Sequence, residues 1–153
     1  MSEEQLKKIK EIIEGLISDL GLSAEATVQQ EEEQINIQIE SPEAPALIGF
    51  HGENLQAIQL VLSFMIHKVL GKWTRVNINV GDYRQKREEQ LTTLALSLAT
   101  KAKLSNETQI IPNLSASERR IVHLALTNHP DVISESEGEG RERTLTIKPK
   151  VKP

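Results

Sequence analysis

The chain has 153 residues, 38% hydrophobic and 26% charged, which is an ordinary balance for a globular protein. It has no cysteine, which excludes disulfides, thiolate metal sites and cysteine nucleophiles, and its few aromatic residues exclude a broad base-stacking surface. The net charge of −4 is unevenly spread, because residues 67–103 hold eight Lys or Arg against three Asp or Glu. Such a basic region permits local phosphate binding. With no signal-peptide pattern and no apolar stretch near the roughly 20 residues that span a bilayer, we expect a cytoplasmic protein without membrane contact.

Hydrophobic periodicity organises the first half of the chain. The predicted elements are a helix at 3–20, strands at 26–30 and 35–39, a short helical turn at 47–48, a helix at 53–70 and a strand at 74–80. Gly81 and Asp82 mark a boundary. We therefore predict an α+β fold of two small domains, the first at residues 1–81.

The second predicted domain covers residues 82–153 and ends in a short basic tail. Its predicted elements are a helix at 83–103, a short strand at 109–112, a helix at 115–127 and a closing hairpin at 132–136 and 143–148. Ser115 and Glu118 have the S-x-x-E spacing of a capping box, which indicates where the second helix begins.

Gly49 and Gly52 are separated by Phe50 and His51, and the four residues lie between two predicted helices. A loop with two glycines leaves its backbone open to a nucleic-acid strand, and the following helix directs its positive dipole end toward phosphate. On its own, this spacing more often marks a plain turn between helices.

The residues around this loop resemble the KH domain, a single-stranded RNA-binding module. An apolar residue precedes the first glycine, and Leu55, Ala57, Ile58 and Val61 follow the second. The order of helix, two strands, helix, G-x-x-G, helix and strand is similar to the bacterial KH fold. KH loops that bind RNA usually carry Lys or Arg between the glycines, which this loop lacks.

Arg119 and His123 are four residues apart and therefore share one helix face. A guanidinium fork and a ring donor near a helix N-terminus suit an anionic ligand, although this spacing is also common on solvated faces. The segment S-E-R-R-I-V-H-L-A-L, followed by P-D-V and S-E-G-E-G, resembles the R-3-H domain, which is named for an Arg and a His separated by three residues. The resemblance implies binding of single-stranded nucleic acid.

A KH domain followed by an R-3-H domain is similar to the Jag family (SpoIIIJ-associated proteins) of bacterial RNA-binding proteins. Longer members carry an N-terminal Jag domain that this sequence lacks, and we carry over no function tied to it. The resemblance implies a role in post-transcriptional regulation and pairing with another small KH protein. The residues do not distinguish single-stranded RNA from single-stranded DNA.

The residues predicted to contact nucleic acid are Gly49, Phe50, His51, Gly52, Lys68, Lys72, Arg84, Lys86, Arg87, Arg119, Arg120 and His123. The sequence offers no metal-ligand spacing, cofactor motif or catalytic constellation. We therefore predict a binding protein rather than an enzyme, and we expect Trp73 to cover the edge of the core. The alternative is a protein–protein adaptor whose KH unit no longer contacts RNA.

Overall fold

A computed structural model of the chain describes residues 1–151. The helices are α1 (Glu3–Asp19), α2 (Ala44–Ile48), α3 (Glu53–Leu70), α4 (Tyr83–Ser105) and α5 (Ala116–Leu126). The strands are β1 (Glu25–Glu31), β2 (Gln34–Glu40), β3 (Arg75–Val80), β4 (Gln109–Ile111), β5 (Val132–Glu137) and β6 (Thr144–Pro149). This element order confirms the predicted α+β fold. No helix among these residues has the length and apolar content needed to cross a membrane.

Backbone contacts divide the chain into two units, which we call the KH unit (Met1–Arg84) and the R-3-H unit (from Gln85 onward). This division falls within α4. The boundary between residues 81 and 82 stays a prediction, and the last two residues of the basic tail lie outside the described part of the chain.

The KH unit is a three-stranded sheet in the order β1-β2-β3, covered on one face by helices. The β1–β2 pair is antiparallel and the β2–β3 pair is parallel, so that Ile37 lies opposite Ile78. Alternate isoleucines of β2 point into the core, where they meet Ile13 of α1 and Leu62 of α3. A parallel pair needs a long crossover. The crossover here contains α2, α3 and the predicted glycine loop, and it brings that loop to the N-terminal end of α3.

The R-3-H unit has an antiparallel sheet in the order β4-β6-β5. Alternation in β6 buries Leu145 and Ile147 against α4 and α5. α4 presents alanines such as Ala95 and Ala99 to this core, and both are fully buried. Small side chains let a helix backbone lie close to its neighbours, and the resulting core holds α5 against the inner face of β5.

Candidate nucleic-acid interface

The glycine loop, which we define as Gly49–Gly52, is fixed by backbone conformation. Gly49 and Gly52 have φ values of 70° and 82°, a region that residues with side chains rarely adopt. A Cβ atom at Gly49 would lie 2.6 Å from Cγ of Asn54, whose Nδ2 donates to the Ala46 carbonyl at 2.8 Å. A Cβ atom at Gly52 would lie 2.6 Å from the Tyr83 hydroxyl oxygen. The positive φ values and these close approaches therefore both favour glycine at the two positions.

The two residues between the glycines extend into solvent. Phe50 is 73% exposed, and its ring stacks on the His51 ring with centroids 3.9 Å apart and planes 23° apart. His51 has a φ of 51°, a left-handed conformation that costs a residue with a side chain roughly 1–2 kcal/mol. The loop thus presents an aromatic pair at the beginning of α3, with no Lys or Arg among its four residues.

Arg119 and His123 both lie on α5, as predicted, and both are half-buried. The Nη1 of Arg119 donates to the Leu114 carbonyl at 2.6 Å. The Nδ1 of His123 lies 2.8 Å from the Ser134 hydroxyl, and its Nε2 lies 3.0 Å from the Ser136 hydroxyl. The pair is therefore not a plain solvated face. A guanidinium has five donors, so the contact with Leu114 leaves capacity for an anion.

The beginning of α5 is held by Glu118, which is buried. One carboxylate oxygen of Glu118 accepts the Ser115 backbone N–H at 2.9 Å, and the Ser115 hydroxyl accepts the Glu118 N–H at 3.2 Å. These bonds confirm the predicted capping box. The other carboxylate oxygen accepts Nε of Arg87 at 2.8 Å. The Arg87 side chain is 12% exposed, so it lies inside the R-3-H unit rather than on an open surface.

Of the other predicted contacts, Lys68, Lys72, Arg84, Lys86 and Arg120 are exposed. Lys68 lies near the C-terminal end of α3 and Lys72 follows that end, whereas the glycine loop precedes the N-terminal end. At 1.5 Å per residue, Lys68 is about 24 Å along the helix axis from Gly52. Within the KH unit, the structure therefore does not bring these lysines to the loop, and their contact with nucleic acid stays a prediction.

Two carboxylates of β5 engage a lysine of β6. Lys148 donates to Glu135 at 2.9 Å and to Glu137 at 2.5 Å. The hydrogen bonds that Lys148 donates to Glu137 and Glu135 raise the pKa of its ammonium above the ordinary value. This pairing neutralises negative charge on the outer face of β5, the strand whose inner serines contact His123.

An exposed apolar patch lies on the KH unit, and we define it as Leu60, Val61, Phe64 and Trp73. These side chains are between 45% and 63% exposed. The expectation that Trp73 covers the core edge is wrong, because the ring is 63% exposed. Its indole instead stacks on His67 with centroids 4.0 Å apart and meets the Phe64 ring edge-on at 5.3 Å. The outward face of α3 supplies three of the four residues because its inward face carries the buried leucines.

Sequence reasoning missed several residues that shape these sites, namely Asn54, Tyr83, Leu114, Ser134 and Ser136. Only the two serines carried a usable signal. Residues two apart on a strand share one face, so Ser134 and Ser136 had to point the same way. Nothing local in the sequence indicates that this face lies under His123.

Comparison with known proteins supports the division into two domain types. Residues 7–79 match the model of the KhpA/KhpB KH domain, and residues 89–149 match the R-3-H domain. The RNA-binding protein KhpB of Clostridium symbiosum is 29% identical over 142 residues, which cover 92% of this chain and 64% of that protein. The KhpB of Streptococcus pneumoniae strain D39 is 30% identical, with 95% and 44% covered. The KhpB of Bacillus subtilis is 26% identical, with 94% and 70% covered.

The chain thus spans less than two thirds of the length of the first two of these relatives. Within that span, both domain types occur in the predicted order, and together with the KhpB relatives they confirm the predicted resemblance. The chain therefore contains a KH domain of the KhpA/KhpB type followed by an R-3-H domain, in agreement with its resemblance to the Jag family.

Proposed function

We propose that this chain binds single-stranded RNA through the glycine loop and the Arg119–His123 pair, and that it acts in post-transcriptional regulation. The observation that carries the proposal is the exposed Phe50–His51 pair, held on a loop whose shape is set by glycines. The KhpB relatives are named RNA-binding proteins, which agrees with this reading. Single-stranded DNA is the alternative ligand.

The glycine loop suits a single strand because unpaired bases expose their faces. An exposed aromatic ring can stack on a base, which is worth roughly 1–3 kcal/mol per base. The N-terminal end of α3 follows at once, and its N–H groups favour the phosphate that accompanies that base. With no Lys or Arg in the loop, stacking and backbone contacts supply more of the affinity than charge does.

The Arg119–His123 pair suits the phosphate backbone. Arg119 offers donors beyond the one given to Leu114, and charge-assisted bonds to phosphate are the stronger type. Glu118, the nearest acid in sequence, caps α5 and pairs with Arg87. We therefore assign binding to this site and no catalytic step.

The loop is tested by placing a negative charge on it. His51→Asp keeps a residue type that tolerates a left-handed φ, whereas a side chain at Gly52 would collide with Tyr83. We expect weaker binding of a single-stranded RNA in fluorescence anisotropy at low salt. Gln29→Glu, on the exposed strand β1, adds the same charge away from the loop and is the matched control. Equal effects of the two changes would contradict the assignment of the loop.

The Arg119–His123 pair is tested by Arg119→Ala. A lost hydrogen bond to a charged group costs about 1.5–3 kcal/mol, so affinity should fall by roughly ten- to a hundredfold. Arg120→Ala removes an exposed cation from the same helix and should cost much less. If the two variants bind equally well, Arg119 has no special role in RNA binding.

A second candidate function is docking of another small KH protein, and the apolar patch favours it. Contiguous exposed apolar residues on a folded domain mark interaction surfaces. The patch contains two large aromatic rings in edge contact, the residue types enriched at the centres of interfaces. The matched domain model covers KhpA as well as KhpB, which makes a KH protein the partner we propose.

Phe64→Glu tests this surface, because a charge at its centre should block docking. We expect loss of co-purification with a co-expressed small KH protein, while RNA binding by the purified chain is unchanged. Leu104→Glu is the matched control, since Leu104 is 80% exposed in the R-3-H unit. Joint loss of docking and RNA binding would contradict the separation of the two surfaces.

A further inference from the structure

Five residues form a continuous chain of contacts around the beginning of α5, and we call them the cap network. It runs from Arg87 to Glu118, from Glu118 to Ser115, and from Ser115 through the backbone to Leu114, whose carbonyl accepts Arg119. Arg87 comes from α4, and the other four residues come from the beginning of α5 and the segment before it. The network therefore joins a distant residue to the arginine proposed to bind phosphate.

Glu118 is the centre of the cap network. Its two carboxylate oxygens have different partners, the Arg87 guanidinium and the Ser115 backbone N–H. The side chains of Arg87 and Glu118 are 12% and 11% exposed. A carboxylate this deeply placed is stable only while it is paired. Without Arg87, one carboxylate oxygen of Glu118 loses its partner, and a turn of the side chain toward water would weaken its bond to Ser115.

The position of Arg119 depends on the same bond. Ser115 is the N-cap residue of α5, and Leu114 directly precedes it. The Leu114 carbonyl holds Nη1 of Arg119 at 2.6 Å, so movement of the cap moves the acceptor that orients the guanidinium. Asn113, which precedes Leu114, has a φ of 59°, a left-handed conformation that Asn tolerates better than most residues.

We propose that Arg87 and Glu118 are positioning residues that orient Arg119 for RNA, and that neither contacts RNA itself. The inference rests on the proposed function of Arg119. It assigns Arg87 a role that differs from the direct phosphate contact expected from the sequence. It also assigns an acidic residue, Glu118, a favourable effect on binding a polyanion.

Whether a substitution of Glu118 weakens or strengthens RNA binding distinguishes positioning of Arg119 from simple electrostatics. Removing a negative charge near RNA should strengthen binding if charge alone matters. If Glu118 positions Arg119, Glu118→Gln should weaken binding instead, by about fivefold or more. Glu88→Gln removes an equal charge from an exposed site on α4 and should leave affinity unchanged or slightly higher. A gain in affinity for Glu118→Gln would overturn the proposal.

A double-mutant cycle then tests Arg87 in the full chain. We expect Arg87→Ala to lower affinity by about tenfold, but by less than about twofold when Arg119 is already alanine. An equal loss in both backgrounds would show that Arg87 contacts RNA directly, and no loss in either would show that it has no role. Circular dichroism and melting curves confirm that each variant is folded at the assay temperature. If Arg87→Ala is unfolded there, Arg87→Lys replaces it, since it keeps the charge but loses Nε.

A measurement without RNA separates this inference from the proposed function. In NMR spectra of the free chain, the Arg119 guanidinium signals should be slow to exchange while Nη1 is held by Leu114. We expect Arg87→Ala or Arg87→Lys to accelerate this exchange, with Arg120→Ala as the unchanged control. Unaltered Arg119 signals would overturn the positioning role. If Arg119→Ala leaves RNA binding intact while these signals do respond, the proposed function fails and the positioning contact stands.

Discussion

The glycine loop and the R-3-H unit hold their proposed contacts with RNA in opposite ways. In the loop, positive φ angles and contacts at the two glycines fix the backbone, and Phe50 and His51 are displayed on it. In the R-3-H unit, hydrogen bonds hold the displayed side chains themselves, since Arg119 and His123 each have partners. The displayed residues of the loop can therefore change at little cost to folding. In the R-3-H unit, the proposed RNA contacts and the stability of the fold depend partly on the same side chains.

The sharpest contrast between the two regions should come from Glu118→Ala. Breaking a buried ion pair costs about 3–5 kcal/mol, because the remaining charge is left unpaired. We expect a drop of that order in the free energy of unfolding, measured by urea denaturation. Glu88→Ala, at an exposed position of the same unit, should stay within about 0.5 kcal/mol. Similar values for the two variants would show that the cap network contributes little to stability.

In the KH unit, the large effects should fall on the glycines. Gly71→Ala places a side chain at a φ of 69° with no atom nearby, so only backbone strain of roughly 1–2 kcal/mol is expected. Gly52→Ala adds the close contact with Tyr83, and overpacking costs about 1–3 kcal/mol more. The difference between the two variants in thermal denaturation measures the steric part. Equal destabilisation would mean that the Tyr83 ring moves aside freely.

A smaller difference in stability should distinguish substitutions of His51 and His123. His123→Ala loses contacts with two serine hydroxyls, and at about 0.5–1.5 kcal/mol per net hydrogen bond we expect a loss of roughly 1–3 kcal/mol of stability. His51→Asn should cost less than about 0.5 kcal/mol, because His51 is exposed and Asn also tolerates its left-handed φ. Urea denaturation of both variants is the measurement. A destabilising His51→Asn would refute the view that the loop is fixed by its backbone.

The smallest expected effect is a gain. His51→Lys supplies the positive charge that RNA-binding KH loops usually carry, and one exposed charge contributes up to about 1 kcal/mol. We expect about a threefold increase in RNA affinity at pH 7.5 and low salt, with a steeper dependence on salt. Unchanged affinity would indicate that the loop binds through stacking and backbone contacts alone.

Periodic elements could be read from the sequence, whereas contacts between distant residues could not. The predicted helix at 53–70 coincides with α3, because apolar spacing and the flanking glycines both mark it. The S-x-x-E pattern at Ser115 also gave the correct cap, since a capping box is local. The pairing of Arg87 with Glu118 spans 31 residues and depends on how α4 meets α5. Composition and spacing indicated that Arg87 is a surface cation, because neither carries information on the contact between α4 and α5.

The parallel pairing of β2 with β3 determines at which stage of synthesis the glycine loop can become structured. The β1–β2 hairpin is local and can form within microseconds, whereas β3 pairs with residues about 40 positions earlier in the chain. The glycine loop lies inside the connection between β2 and β3, and Tyr83, which packs against Gly52, follows β3. We therefore expect a nascent chain to acquire a structured loop only after Tyr83 has left the ribosome. Translation would thus delay the RNA capture proposed for the KH unit until that whole unit has been made.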